Sequence, residues 1–234
     1  MTLFFVPQIS HPLTELPEEE AHHAMRVLRL KNGQDVWVTD GKGKIYQGQF
    51  EAFSNRNARV LLAEQPAKVM ERKANITMAV APLKSNDRFE WFLEKATELG
   101  ATRIVPIISE HGERSKFNME RWHRVMLAAL KQSLNPLMPQ LDAPIKFADF
   151  LKANTLTSYI AHCEEGEKPL LAQAIKKGED ICICIGPEGD FSTSEIKQAL
   201  EKKYQPVSLG ELRLRTETAA LTALITGLNS LSVE

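Results

Sequence analysis

The feature of the sequence that most constrains the fold is an uninterrupted apolar run at residues 181–185, Ile-Cys-Ile-Cys-Ile. A strand that is apolar at every position must be covered on both faces, which is typical of parallel sheets with helices on each side. Free cysteines behave as small hydrophobic side chains, so we expect Cys182 and Cys184 to be buried. The run therefore predicts a central strand of an α/β domain.

Alternating strand and helix patterns surround this run from residue 75 onwards. Strands are predicted at 76–80, 104–108, 158–161, 181–185 and 206–209. Helices are predicted at 86–99, after 118, at 170–177, after 192 and from 216. Gly100 is placed to end the first helix, and Ser192 with Glu195 forms a capping box for the fourth. This alternation predicts a mainly parallel sheet in a domain over residues 71–234.

The first 70 residues follow a different pattern. Pro17 and the three glutamates after it predict a helix start, because proline fits the first turn and acids face the positive end of the helix dipole. Short alternating apolar runs, separated by turn signals such as Asp40-Gly41, predict several strands. We expect a small β-barrel domain over residues 1–70, with the boundary in the polar segment 64–74.

Composition and charge exclude several classes of protein. Apolar residues make up 43% of the chain and the net charge is −1, so neither disorder nor a globally basic nucleic-acid binder is indicated. The apolar stretch 219–228 is too short to span a membrane, and the N-terminus lacks the basic flank of a signal peptide, which favours a cytoplasmic protein. The three cysteines lack zinc spacing, and His22 and His23 point in different directions on a helix, so no metal site is expected.

Glycine-bearing turns follow two of the predicted strands, where ligands bind in open α/β sheets. Residues 186–189, Gly-Pro-Glu-Gly, follow one strand and Gly210 follows another. Glycine lets the backbone approach a ligand closely. Arg213 and Arg215 come next, just before the predicted helix N-terminus at Thr216, which favours anions. By spacing alone, the first turn could equally be structural and the arginines could be solvated surface charges.

Basic residues also follow the other strands, notably Lys84 and Arg88 after strand 76–80 and Arg114 after the next. Such a cluster could contact nucleic acid or simply be solvated. The sequence contains no dinucleotide-binding fingerprint, no phosphate-binding loop and no nucleophile elbow. Redox, kinase and hydrolase functions therefore lack their usual motifs.

Four motifs follow one another along nearly the whole chain. They are His22-His-x-x-Arg26-Val-Leu-Arg29, Phe89-Glu-Trp-x-x-x-Lys-Ala-Thr-Glu-Leu-Gly100, Ile185-Gly-Pro-Glu-Gly189 and Leu209-Gly-x-x-x-Leu-Arg-Thr-Glu-Thr-Ala219. Together they resemble the motifs of the ribosomal RNA small subunit methyltransferase E family (RsmE), which belongs to the SPOUT class. The resemblance departs from the family pattern at Asp190, where a second glycine is usual, and in segment 133–137, which lacks an arginine.

The resemblance implies a homodimer that uses S-adenosylmethionine to methylate N3 of a uridine in 16S rRNA of the small ribosomal subunit. It implies a PUA-like β-barrel that binds RNA over residues 1–70, and a SPOUT domain with a C-terminal trefoil knot over 71–234. The implied cofactor-binding residues are Ile185, Gly186, Pro187, Glu188, Gly189, Leu209, Gly210, Leu212, Arg213, Leu214, Thr216 and Ala219. Segment 161–163 would add a third wall. The implied RNA-binding residues are Arg26, Arg29, Lys84, Arg88 and Arg114.

Arg88, Glu188 and Arg215 are the candidate catalytic residues by type and placement. Loss of the N3 proton needs a base, or a cation that stabilises the resulting anion. Two other functions stay open from the residues alone. One is a non-catalytic RNA-binding protein whose α/β domain only dimerises, and the other is a small-molecule enzyme that uses turn 186–189 to hold a phosphate.

Overall fold

The computed structural model describes residues 2–72, 74–113 and 116–232. The chain forms two compact units. The first consists of Met1–Glu71 with Leu127–Met138, and the second of Arg72–Met126 with Pro139–Glu234. The predicted boundary after residue 70 did not anticipate that segment 127–138 packs with the first unit.

The first unit contains a six-stranded sheet and a short helix, together with the end of a longer helix in segment 127–138. Its elements are β1 (Leu3–Phe5), β2 (Leu13–Glu15), α1 (Glu18–His22), β3 (Asp35–Thr39), β4 (Lys44–Ala52), β5 (Ala58–Leu62) and β6 (Lys68–Val69). The strand order is β1-β3-β4-β5-β2, with β6 paired to β4. Every pairing is antiparallel except β1 with β3. The helix α1 continues directly into a π-helical turn, His23–Val27.

Two contacts show why segment 127–138 belongs to the first unit. Leu130 is buried in one apolar cluster with Leu3 and Ile45. The Lys131 ammonium donates a hydrogen bond of 2.8 Å to the buried Glu20 carboxylate. Segment 127–138 is therefore joined to β1, β4 and α1 by apolar packing and by a partly buried ion pair.

The second unit is an α/β structure. Its strands are β7 (Ile76–Val80), β8 (Arg103–Ile108), β9 (Gln140–Leu141), β10 (Ile145–Lys146), β11 (Thr157–Ala161), β12 (Ile181–Ile185) and β13 (Gln205–Val207). Its helices are α2 (Asn86–Leu99), α3 (Met119–Ser133, whose last turns belong to the first unit), α4 (Phe147–Ala153), α5 (Leu171–Ala174), α6 (Thr193–Glu201) and α7 (Thr216–Ser232). The sheet order is β10-β8-β7-β12-β11-β13 with β9 on β8, and all pairings are parallel.

The central strand β12 is buried at all five positions, which confirms the prediction from the apolar run. Cys182 and Cys184 pack in a cluster with residues of α4 and α6. On the other face, Gly227 of α7 lies against Ile181 and Ile183, and a Cβ at Gly227 would be 3.5 Å from Ile183 Cδ1. The helices therefore cover both faces of the sheet, as the sequence pattern required.

Several helix ends follow the predicted signals. Gly100 has φ +92° and ends α2, and Asn118 accepts a hydrogen bond from the Arg121 amide at the start of α3. Ser192 and Glu195 form both hydrogen bonds of the capping box. The helix predicted at 170–177 is only the four-residue α5, and α4 was not predicted. No helix in the described ranges is long and apolar enough to cross a bilayer.

Candidate functional site

A cavity of about 640 Å³ lies at the carboxyl edge of the second unit's sheet, beyond β11, β12 and β13. Its walls are the segment 161–163 with Lys168, the turn 185–190, and the segment 207–216 with Ala219 at the start of α7. Because these three strands are neighbours and parallel, their ends meet at one edge. The volume falls within the range of small-molecule sites.

The turn after β12 is tightly closed. The Asp190 amide donates a hydrogen bond of 3.0 Å to the Pro187 carbonyl. A Cβ at Gly186 would lie 3.0 Å from the Phe191 backbone nitrogen, so a larger residue would have to displace that backbone by a few tenths of an ångström. Glycine therefore suits the close backbone packing at this position. Glu188 is exposed at the tip of the turn and lines the cavity.

Gly189 does not line the cavity, although it was predicted to bind the cofactor. A Cβ at this position would face the His111 side chain at 3.2 Å. The His111 Nδ1 atom lies 3.1 Å from the carbonyl oxygens of both Gly189 and Asp190. Since a carbonyl only accepts hydrogen bonds, Nδ1 must carry the proton. The glycine makes room for a histidine that supports the turn, a role that local sequence could not reveal.

The wall after β13 is shaped by Gly210, whose φ is +135°. A Cβ there would meet nothing within 4 Å, so glycine is needed for its backbone conformation and not for space. The Ser208 hydroxyl bridges the Gly210 amide and carbonyl, at 3.2 and 3.1 Å. Leu212 is 83% exposed, and Arg213 and Arg215 are also exposed on this segment.

His162 supplies a polar group to the remaining wall. Its Nδ1 atom is buried and has no hydrogen-bond partner among the described residues. Burial, together with the Lys168 cation, lowers the pKa of the His162 imidazole, so the ring is neutral near pH 7. The Lys168 ammonium itself donates to the His162 carbonyl at 2.9 Å. A neutral imidazole with an unfilled nitrogen fits a ligand that carries polar groups.

The other predicted site residues divide into two groups. Every predicted cofactor residue except Gly189 lines the cavity, and so do Glu188 and Arg215 of the catalytic candidates. Arg88 does not line it. The Arg88 Nε atom lies 3.8 Å from a carboxylate oxygen of Glu217, which is buried in the first turn of α7. Glu217 was not predicted as a site residue. It follows Thr216 in the first turn of the helix, where acids are favoured, and this position is the sequence signal that could have identified it.

The predicted RNA-binding residues are distributed over both units. Arg26 and Arg29 are exposed in the first unit, in and just after the π-helical turn. In the second unit the Lys84 ammonium pairs with Glu113 at 2.6 Å, and this hydrogen bond raises the pKa of Lys84. Arg114 lies outside the described residues. A single basic path through these residues stays a prediction.

Within residues 2–72, 74–113 and 116–232, no cluster of three or more histidine, cysteine or acidic side chains is arranged to hold a metal ion.

Comparison with known proteins identifies the family. Residues 70–226 match the RNA methyltransferase domain family, and residues 16–62 match the RNA methyltransferase PUA domain family. The ribosomal RNA small subunit methyltransferase E of Synechocystis sp. is 32% identical over 224 residues, which cover 93% of this chain and 73% of that protein. The chain belongs to the ribosomal RNA small subunit methyltransferase E family.

Solved structures agree with this family assignment. A probable rRNA-methyltransferase from Porphyromonas gingivalis has a TM-score of 0.87 and 36% identity, with 96% of each chain covered. The family member from Neisseria gonorrhoeae, solved with bound S-adenosyl methionine, has a TM-score of 0.87 and 27% identity, with 99% of this chain and 98% of that chain covered. The predicted PUA-like and α/β fold class is confirmed, and the trefoil knot stays a prediction.

Proposed function

We propose that this protein transfers a methyl group from S-adenosylmethionine to N3 of a uridine in 16S rRNA of the small ribosomal subunit. The observation that carries the proposal is the cavity formed by three strand-end segments, because it contains all but one of the cofactor residues expected from the family motifs. Family membership and the S-adenosyl methionine bound to the Neisseria gonorrhoeae relative support the choice of cofactor.

The walls of the cavity suit a large polar ligand. The turn around Gly186 and the segment around Gly210 present backbone groups, which can bind a nucleoside base and ribose at close range. Neutral His162 and the cations Lys168 and Arg213 provide polar and charged partners. S-adenosylmethionine supplies a methyl group already activated on a sulfonium, and the proposed chemistry needs no metal.

The chain's own residues have two tasks in this reaction. They must remove or share the N3 proton, and they must stabilise the uracil anion while the N3–carbon bond forms and the carbon–sulfur bond breaks. We assign the first task to Glu188, whose exposed carboxylate lines the cavity. We assign the second to Arg215, because an arginine stays charged at neutral pH. Arg88, set against Glu217, is the second cation candidate.

The experiment that tests this function uses the full chain. Titration calorimetry should detect stoichiometric binding of S-adenosylmethionine. Purified small subunits from cells that lack the protein should then gain one methylated uridine nucleoside, identified by mass spectrometry. Binding of RNA without any cofactor binding would support a non-catalytic RNA-binding protein instead. Methylation at a position other than N3 would refute the proposed target atom.

We also propose that the first unit binds RNA through Arg26 and Arg29, as the family's PUA domain implies. Removing one cation that neutralises a phosphate should reduce the slope of log affinity against log salt by roughly 0.7–0.9. The Arg26→Ala, Arg29→Ala double variant should therefore bind RNA more weakly and with a shallower slope. The matched control is Arg56→Ala, an exposed arginine in the turn between β4 and β5. An unchanged slope in the double variant would contradict the assignment.

The proposal includes a homodimer formed through α7. It also includes a location in the cytoplasm, where ribosomal subunits are found. Leu224 and the small residues Ala220 and Ala223 of this helix are buried within their own unit, whereas Ile225 is 42% exposed. Ile225→Lys should give a monomer by light scattering at micromolar concentration. Leu200→Lys on α6, a leucine that is 44% exposed, should leave the assembly unchanged.

A further inference from the structure

Asp190 has an unusual backbone conformation for a residue with a side chain. Its φ is +63°, in the left-handed region where glycine is favoured and aspartate is one of the few tolerated alternatives. It lies on the cavity wall at the end of the turn that begins with Gly186. Holding a non-glycine residue in this conformation costs free energy, so its side chain should provide a compensating interaction.

The Asp190 carboxylate connects two walls of the cavity. One oxygen, Oδ1, accepts a hydrogen bond of 2.8 Å from the amide of the next residue, Phe191. The other oxygen, Oδ2, accepts a hydrogen bond of 2.6 Å from the Cys163 amide, which follows β11. Hydrogen bonds to an ionised acceptor are short and about twice as strong as neutral ones. The second bond therefore holds the segment after β11 against the turn after β12.

The backbone groups of Asp190 are also engaged. Its amide donates to the Pro187 carbonyl at 3.0 Å, and its carbonyl lies 3.1 Å from His111 Nδ1. All four polar groups of this residue thus have a partner. The contacts with His111 and Cys163 therefore both hold the end of the turn in place.

We propose that Asp190 is a positioning residue that keeps segment 161–163 and turn 186–190 at the spacing needed to bind S-adenosylmethionine. The inference rests on the proposed function, because it concerns the same cavity. Asp190 acts through the backbone of Cys163 and need not touch the methyl group or the uracil. Its removal should therefore raise the KM for the cofactor by a larger factor than it lowers kcat, because Glu188 lies on the same turn and bound cofactor helps to hold that turn in place.

Three substitutions at Asp190 distinguish the effect of the carboxylate on cofactor binding from the effect of the backbone conformation. Asp190→Gly removes both side-chain hydrogen bonds but suits the left-handed conformation, and Asp190→Ala removes both and retains the strain. Asp190→Asn tolerates the conformation but has one acceptor oxygen where two are needed. If the conformation alone mattered, the glycine variant would bind the cofactor as well as the wild type. We expect about 10-fold weaker binding in Asp190→Gly, at least as large an effect in Asp190→Ala, and an intermediate effect in Asp190→Asn.

The experiment combines calorimetry, steady-state kinetics on small subunits, and amide hydrogen exchange of the cofactor-free protein. Asp149→Asn is the matched control, because Asp149 is an exposed acid on α4 that does not line the cavity. The supporting result is a raised cofactor KM with a smaller change in kcat, and faster exchange of the Cys163 amide in Asp190→Gly, with the control like the wild type. A mere decrease in overall stability would not produce this split between KM and kcat.

Two results would overturn the inference in distinguishable ways. Wild-type protein that binds no S-adenosylmethionine would overturn the proposed function and this inference with it. Wild-type binding, together with unchanged affinity and unchanged Cys163 exchange in Asp190→Gly, would overturn the inference alone.

Discussion

Replacing Gly210 by alanine tests whether the segment after β13 forms part of the cofactor site. The φ of +135° is one that L-residues rarely adopt, and no atom lies within 4 Å of the added Cβ. The cost is therefore purely conformational, about 1–3 kcal/mol. The exposed segment can relax when the cavity is empty, and binding must then restore the native conformation. The same free energy should weaken cofactor binding by roughly 5- to 150-fold.

The control for this prediction is Gly178→Ala, just before β12. Gly178 has φ +80°, also with nothing within 4 Å of its Cβ position, and it does not line the cavity. Chemical unfolding should show a loss of stability in this variant, while calorimetry should show wild-type affinity for S-adenosylmethionine. Wild-type affinity in Gly210→Ala, in a protein that is folded, would refute a role for this segment in binding.

Further predictions concern chemistry and stability. Arg88→Ala and Arg215→Ala should each lower the single-turnover methylation rate at least about 100-fold, as expected for removal of a group that stabilises a developing anion, and wild-type rates in both would refute the assigned chemistry. Replacement of all three cysteines by alanine should leave substantial activity in the same assay. Glu195→Ala removes a helix cap and an acceptor for the Glu110 amide, at 2.9 Å, and should lower the free energy of unfolding by about 1–3 kcal/mol in urea. Burial lowers the pKa of His162 from its usual value, so the free energy of unfolding should fall as the pH drops below about 6.5, and less steeply in His162→Asn.

The parallel sheet and the position of the cavity could be predicted from sequence because their signals are local. The fully apolar strand β12, the capping box of α6 and the glycine at the end of α2 each lie within a few consecutive residues. Once the strands are placed, the parallel topology brings their carboxyl ends together without further information. The short strands β9 and β10 have only two residues each, too few to produce a periodic pattern.

The contacts that hold the walls of the cavity in place could not be predicted, because they join residues far apart in the chain. His111 and Gly189 are separated by 78 positions, and Cys163 and Asp190 by 27. A single sequence carries no signal for such pairs. The same reason explains why the sequence did not indicate that segment 127–138 packs with the first unit: the amphipathic pattern of α3 predicts a buried face but not which core will cover each turn.

Of the three cysteines, Cys163 is the one whose side chain is exposed and can be labelled chemically. Cys182 and Cys184 are buried inside β12, whereas Cys163 is exposed on the cavity wall. Partial loss of hydration and the neighbouring Asp190 carboxylate raise the pKa of the Cys163 thiol, which slows its reaction with alkylating reagents at neutral pH. A fluorophore introduced at mildly alkaline pH would therefore attach to the unaltered chain at one position. Its emission would report on the surroundings of segment 161–163, one wall of the cavity.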